Sequence, residues 1–376
     1  MTTKLVTLCA AAALLGSGLL PAHAAPVGDT MGRLGEPPRA DGPSAGGQAS
    51  DNVEWLRLVP FDAVTATGAS LLPDDHLIVT SWRNFSIYDI AEPENPQLVT
   101  TVPFGFKFEN EDVSTNGEIM LFSESLPQSI LHVWDIEDKS NPVEIGTLPG
   151  AGDHTSTCIL DCQWAYGSDG SIVDLRDPSN PSEEGNWHQL VGLQSGAHDV
   201  DEFKRGFVIV STLSDPLMLL DVRNPLKPKV LARGQHPAPG SWIFHSARWP
   251  NRGADRFLLM QGEGGSGPLL TYDTRRWRKT KAFDLVDSWT VEGSTASSHW
   301  FEPHPDFRNG GLVTIGWYGE GARFVEVKPN GKMEEVGWFE PWAQRSGFSS
   351  YWITDDIVYA IDLYRGIDIL RFHHDD

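Results

Sequence analysis

The chain has 376 residues, of which 40% are hydrophobic and 10% aromatic, and a formal net charge of −22 at neutral pH. That balance excludes nucleic acid as a partner, which needs a basic footprint, and disfavours adsorption to anionic lipid. It suits an acidic protein that is soluble outside the cell, or one that binds cations.

Residues 1–24 read as a secretory signal peptide: Lys4, an apolar run through Leu20, then Ala22-His23-Ala24 as a small-residue cleavage site. The run is too short for a membrane span, and no other segment is long and apolar enough. Cys9 lies inside the apolar run rather than at the cleavage site, which argues against a lipoprotein. Residues 25–52 are rich in Gly, Pro, Ala and Ser without periodicity and read as a flexible leader. The expected location is therefore secreted or cell-surface.

A repeat follows. Its clearest copies are YDIAEPENPQLVTTV from Tyr88, WDIEDKSNPVEIGTL from Trp134, VDLRDPSNPSEEGNW from Val173 and LDVRNPLKPKVLARG from Leu220. Weaker copies begin at Tyr272, Val325 and Ile367. The recurring acids are Asp89, Asp135, Asp174, Asp221, Asp273, Glu326 and Asp368, spaced by about 46, 39, 47, 52, 53 and 42 residues, the period of four-stranded propeller blades. Each copy has an apolar strand ending in the acid, a Pro/Asn-rich turn and an alternating strand, preceded by two further strand-like runs such as GFVIV (206–210) and FLLM (257–260). The expected fold is all-β: a seven-bladed β-propeller of four-stranded blades over residues 53–373. The last copy stops at Phe372 without an outer strand, and WLRLVPF (55–61) supplies one, so the N-terminal strand is expected to complete the C-terminal blade and remove both open edges.

The pattern YDIAEPENPQLV, together with VYAIDLYRGIDILRF (358–372), resembles the bacterial LVIVD-repeat proteins over roughly residues 53–372. The copies from Tyr272 and Val325 depart from the turn sequence and match in strand pattern alone. The resemblance implies a secreted or surface propeller. It brings no catalytic residue.

After cleavage two cysteines remain, Cys158 and Cys162, flanking a three-residue turn in HTSTCILDCQWAYG. In an exported protein a hairpin disulfide is the natural reading, since C-x3-C without a second pair is a weak metal signature.

In a propeller the first strand of every blade lines the central channel. His154, His198, His245 and His299 precede their repeat acids by about 20, 23, 28 and 27 residues, and Glu111 precedes Asp135 by about 24. Five consecutive units would thus present His or Glu at the channel mouth, with Thr67 and Ser349 or Ser350 in the remaining two. Imidazole is a good ligand for Zn, Cu and Fe(II), and a carboxylate can complete or orient such a site. The arrangement resembles the iron centre of carotenoid oxygenases and the metal-dependent methanethiol oxidases, although none of their sequence motifs is present. Equally, channel histidines can serve only to bond neighbouring blades.

His304 is read as lying in a turn, and His132, His188, His236, His373 and His374 as surface residues. QGEGGSG (261–267) reads as a flexible strand connection, because no helix follows to make it a phosphate cradle. Acids at Glu109, Glu111 and Asp112 and at Asp199, Asp201 and Glu202 have the chemistry to hold calcium but lack calcium-loop spacing, which makes calcium a minority reading. The late aromatic residues, among them Trp300 and Tyr318, are read mainly as packing between blades, with some beside His299. Two functions stay open. One is a monomeric extracellular binding protein for a protein or glycan, with or without one divalent transition metal held by the five residues. The other is a metal-dependent extracytoplasmic oxidoreductase using that site.

Overall fold

The computed structural model describes residues 46–61, 66–105, 111, 113–125, 128–342 and 347–374. All belong to one compact unit spanning Pro37–Asp376. The expected signal segment and most of the leader lie outside the described residues, as do Glu109 and Asp112.

Two strands open the described chain, β1 (Gly47–Ala49) and β2 (Val53–Pro60). Antiparallel meanders follow. The first is β3 (Ala66–Leu72), β4 (His76–Ser81), β5 (Asn84–Asp89) and β6 (Gln97–Pro103). The second is β7 (Ser114–Thr115), β8 (Ile119–Glu124), β9 (Ile130–Asp135) and β10 (Val143–Pro149). Next come β11 (Ser156–Ile159), β12 (Trp164–Gly167), β13 (Ser171–Asp174) and β14 (Ser182–Asn186). An eight-stranded sheet combines β15 (Ala197–Lys204), β16 (Phe207–Thr212), β17 (Leu217–Asp221) and β18 (Lys229–Gly234) with β19 (Ile243–Arg248), β20 (Phe257–Glu263), β21 (Leu269–Asp273) and β22 (Ala282–Trp289). Its two halves are separate meanders joined only by a short parallel pairing of Arg233 and Gly234 with Ala282 and Phe283. Then follow β23 (Ser298–Pro303), β24 (Gly311–Trp317), β25 (Gly321–Val327) and β26 (Met333–Pro341). The last strands are β27 (Gly347–Trp352), β28 (Ile357–Asp362) and β29 (Gly366–Phe372).

The first strands of the meanders touch in a closed cycle, β3 to β7, β11, β15, β19, β23, β27 and back to β3. The architecture is that of a β-propeller. Its middle strands read as unbroken apolar runs because neighbouring sheets cover both of their faces: HLIVTS in β4 and FVIVST in β16 are buried in all but their first residue. The outer strands, such as β6 and β10, keep one face in water and stay half-exposed.

The repeated acid has a local cause. In Asp89, Asp135, Asp174, Asp221 and Asp273 the carboxylate accepts the backbone N–H two residues on, at 2.9, 3.0, 3.0, 3.2 and 2.9 Å. This Asx turn stops the third strand and starts the reversal to the fourth. A tight turn follows in four copies, closed by the N–H of Asn95, Asn141, Asn180 and Lys227. The last acid, Asp368, does not hold the equivalent place: Arg371, paired with Ile357 at the strand end, does. Asp368 is buried instead and accepts from Trp55 Nε1 at 2.9 Å and Arg365 Nη1 at 2.7 Å.

β2 pairs antiparallel with β29 from Val53↔Phe372 to Pro60↔Gly366, so the N-terminal strand does complete the C-terminal sheet. The expected leader boundary at residue 52 needs correcting. β1 already pairs with β26, Gly47 opposite Pro341 and Ala49 opposite Phe339. A Cβ on Gly47 would lie 2.2 Å from the Glu340 carbonyl oxygen, so the Gly-rich composition here serves close strand approach rather than freedom.

Leu58, fully buried in the closing strand, is expected to cost about 3 kcal/mol when replaced by Ala. Leu98→Ala on an exposed outer strand should stay within about 0.5 kcal/mol. Urea unfolding of the two variants measures the difference, and equal midpoints would refute the closing role of β2.

Candidate metal centre at the channel mouth

The channel residues are aimed by a repeated irregularity. The pairing between first and second strands shifts register around Thr67, His198, His245, the His299–Trp300 pair and Phe348. A β-bulge adds one unpaired residue to a strand and re-aims its side chain. It also changes the parity of the alternation. Ser70, Asp201, Arg248, Glu302 and Tyr351, each three positions after a bulge residue, line the channel as well. His154 and Glu111 enter from the segments just before β11 and β7.

All five expected ligands meet. Glu111 Oε1 lies 2.6 Å from His299 Nε2 and 2.8 Å from His245 Nε2. Its Oε2 lies 2.6 Å from His154 Nε2 and 3.6 Å from His198 Nε2. The Nε2 atoms of His154 and His198 are 2.9 Å apart. His198, His245 and His299 are buried, and His154 is 13% exposed at its side chain.

The opposite ring nitrogens hold the rings in place. His299 Nδ1 donates to the Phe348 carbonyl at 2.8 Å, and His198 Nδ1 to the His245 carbonyl at 3.1 Å. The Thr155 hydroxyl donates to the His198 carbonyl. A carbonyl only accepts, so these Nδ1 atoms carry protons and a neutral ring turns its Nε2 lone pair inward, the form a metal needs. Among the described residues His245 Nδ1 has no partner.

Burial opposes every charge in the cluster. It would raise the Glu111 carboxyl, but the electrostatic pull of His299, His245 and His154 and the hydrogen bond from His154 hold that carboxyl well below its usual value. Burial depresses His245, reinforced by His198 and His299, and its imidazole falls well below the usual value. Burial also works against charged His299, yet Glu111 and Glu263 outweigh it and raise this group. The donor set of imidazoles and carboxylate fits a divalent transition metal such as Zn, Cu or Fe(II).

Three further residues border the cluster: Trp300 and Tyr318, from the late aromatic group read mainly as packing with some beside His299, and Glu263, which was not legible as a site residue. Glu263 stands 3.7 Å from His299 Nε2 and 4.0 Å from His245 Nε2. It is the last residue of β20, so the stretch 261–267 expected to be only a flexible connection is strand over its first three residues. The Tyr318 hydroxyl donates to Glu263 at 3.3 Å, and the Tyr318 ring lies 4.7 Å from that of His299. Trp300 packs edge-on against His245 at 4.8 Å. His304 lies apart in the turn after β23, bonded to the Asp355 carbonyl at 3.1 Å. Thr67 holds its expected place, whereas the backbone of Phe348, rather than Ser349 or Ser350, serves the cluster.

Two other histidines correct the surface reading. His132 is buried between Glu124 at 3.1 Å and Glu144 at 2.5 Å, and His236 is buried against Trp242 and Phe244. Cys158 and Cys162 form the disulfide, with Cα atoms 4.5 Å apart.

No family profile and no curated protein matches the sequence. Among solved structures, the chain is similar to the RRP9 WD40 repeats, with a TM-score of 0.60 at 11% identity, covering 88% of this chain and 100% of that one. A chain of the Mitotic Checkpoint Complex gives 0.59 at 11% identity over 89% and 98% of the two chains. U3-55K gives 0.60 at 12% identity over 87% and 100%. At such identities the likeness concerns the fold alone.

The shifts set a pH dependence for the metal-free protein. Glu111 is lowered, so its contribution is present above the unfolded value of 4.5 and lost as pH falls through the folded value. His299 is raised, so its contribution is full below the unfolded value of 6.5 and lost as pH rises through the folded one. In chelator, the urea midpoints of wild type and Glu111→Gln should differ most near pH 5.5 and converge at alkaline pH. A gap that widens steadily above pH 8 would contradict this.

Proposed function

We propose that the chain is an exported, seven-bladed LVIVD-repeat propeller that holds one divalent transition metal at its channel mouth and acts as a binding protein. The blade count follows from taking the eight-stranded sheet as two blades and β2 with β27–β29 as the last. One observation carries the metal reading: four imidazole Nε2 atoms from four successive blades converge on the Glu111 carboxylate. His154, His198, His245 and His299 would be the nitrogen donors and Glu111 the carboxylate donor. Glu263, bonded by Tyr318, would stand behind His245 and His299 and balance charge. A bound metal would supply Lewis acidity at the mouth.

The oxidoreductase alternative shares this metal but also requires a substrate position beside it. Metal binding is the part of it that the cluster supports. A protein or glycan partner would dock on the propeller's outer faces, the role that the fold supports. Export rests on the sequence of residues 1–24, and sequencing the mature N-terminus is expected to start at Ala25.

Elemental analysis of protein purified without chelator or affinity metal tests the site. About one transition-metal atom per chain is expected in the wild type, and almost none in the folded His198→Ala/His245→Ala variant. Stoichiometric metal in that variant would sink the ligand assignment. Metal affinity should also fall steeply below about pH 6, where imidazoles take up protons; a flat profile between pH 5 and 8 would mean other ligands.

A further inference from the structure

The turn that the Cys158–Cys162 disulfide closes is left-handed throughout. Leu160, Asp161 and Cys162 have φ of 56°, 65° and 50°, the longest run of left-handed residues other than glycine among the described residues. A side chain with a Cβ disfavours this conformation, because the Cβ comes too close to the following carbonyl oxygen. The bridge therefore holds a turn that its own sequence resists.

The hairpin does not depend on the crosslink for its register. β11 and β12 pair from Ser156↔Gly167 to Ile159↔Trp164. The Cys158 N–H donates to Ser114 Oγ at 2.9 Å, and the Leu160 N–H donates to both Glu202 oxygens at 3.0 and 3.1 Å. The Gln163 carbonyl accepts from the Leu175 N–H at 2.9 Å. A bridge with three residues between its cysteines also constrains the unfolded chain little, since that contribution grows with the length of the closed loop.

The two cysteines differ in exposure. Cys158 is half-buried and Cys162 is buried. Both stand, with exposed Asp161, in the wall of a cavity of about 390 Å³.

We propose that Cys158–Cys162 is a thiol–disulfide exchange site, which a dithiol reduces while the propeller stays folded. A thiolate of the reductant attacks the sulfur of Cys158, the more exposed partner; the S–S bond breaks and Cys162 leaves as a thiolate. The second thiol of the reductant then attacks the reductant's sulfur in this mixed disulfide, closing the reductant's own disulfide and releasing Cys158. Two electrons pass from the dithiol to the cysteine pair, and the two protons the dithiol loses end on Cys158 and Cys162. Leu160, Asp161 and Cys162 can then leave the left-handed region, which favours the reduced form. The step uses no metal.

Equilibration of the full mature chain with reduced and oxidised dithiothreitol at about pH 7.5, followed by alkylation and mass measurement, tests it. The native pair should be reduced at least as readily as the same pair in the urea-unfolded chain. Circular dichroism of the reduced chain should match that of the oxidised one. Asp161→Gly, which accepts the left-handed turn without cost, should shift the native equilibrium about fivefold toward the disulfide. Reduced thioredoxin is the second arm: reduction by dithiothreitol alone assigns the partner as a small dithiol, and reduction by both as a protein dithiol. A native pair harder to reduce than the unfolded one, unfolding on reduction, or no shift in Asp161→Gly would each overturn the proposal and leave the bridge a structural staple.

Discussion

The hydrogen bonds between β2 and β29 hold the arrangement together, because they join the two ends of a chain whose sheets otherwise meet mainly through side chains, with few backbone bonds between them. Neighbouring sheets pack face to face and each contributes one strand to the axis. Such a ring has a definite radius only when closed. The closure brings residues as far apart in sequence as Glu111 and His299 within hydrogen-bond distance. It also buries Asp368 with Arg365 and Trp55, a pairing that exists only when the N-terminal strand is docked.

Within that frame the bulges decide what faces the axis. A regular strand shows an axis every second residue. The shift at His198, His245 and His299 turns the imidazoles inward and moves the next inward position to Asp201, Arg248 and Glu302. One irregularity, repeated by the blades, thus yields two tiers: nitrogen donors at the mouth and mixed charges below.

The sequence carried the periodic part of this well. The repeat acid, the Pro/Asn turn and the apolar middle strands are local features with local causes, and the Asx turn explains why the acid recurs. The histidines were legible for the same reason, since each copy places one at a similar offset. What stayed hidden lies outside the period. Glu263 ends β20 within a stretch whose glycines read only as a flexible connection. Asp368 matched the acid pattern but occupies another strand position, because Arg371 stands opposite the first residue of β28, where copies such as that of Asp89 place the acid. His132 looked like a surface residue because offset in a repeat says nothing about burial when both faces of a middle strand are covered, and His236 because it follows β18 in an irregular segment that packs against Trp242 and Phe244. Gly47–Ala49 looked like linker because a strand of small residues has no apolar alternation to reveal it.

The proton arithmetic of the cluster favours a cation over protons alone. His299 stands between two acceptors, the Phe348 carbonyl and Glu111, so it satisfies both only as a charged imidazolium. His245 can remain neutral and donate its Nε2 proton to Glu111. His154 then has one Nε2 proton and two claimants, Glu111 at 2.6 Å and the His198 nitrogen at 2.9 Å. With its own proton committed to the His245 carbonyl, neutral His198 points a lone pair toward Glu111 at 3.6 Å. Two acceptors facing each other in a buried site repel, and a further proton there would add a second buried imidazolium. A divalent cation would instead take up such lone pairs and offset the carboxylate charge, which is the chemistry this donor set offers.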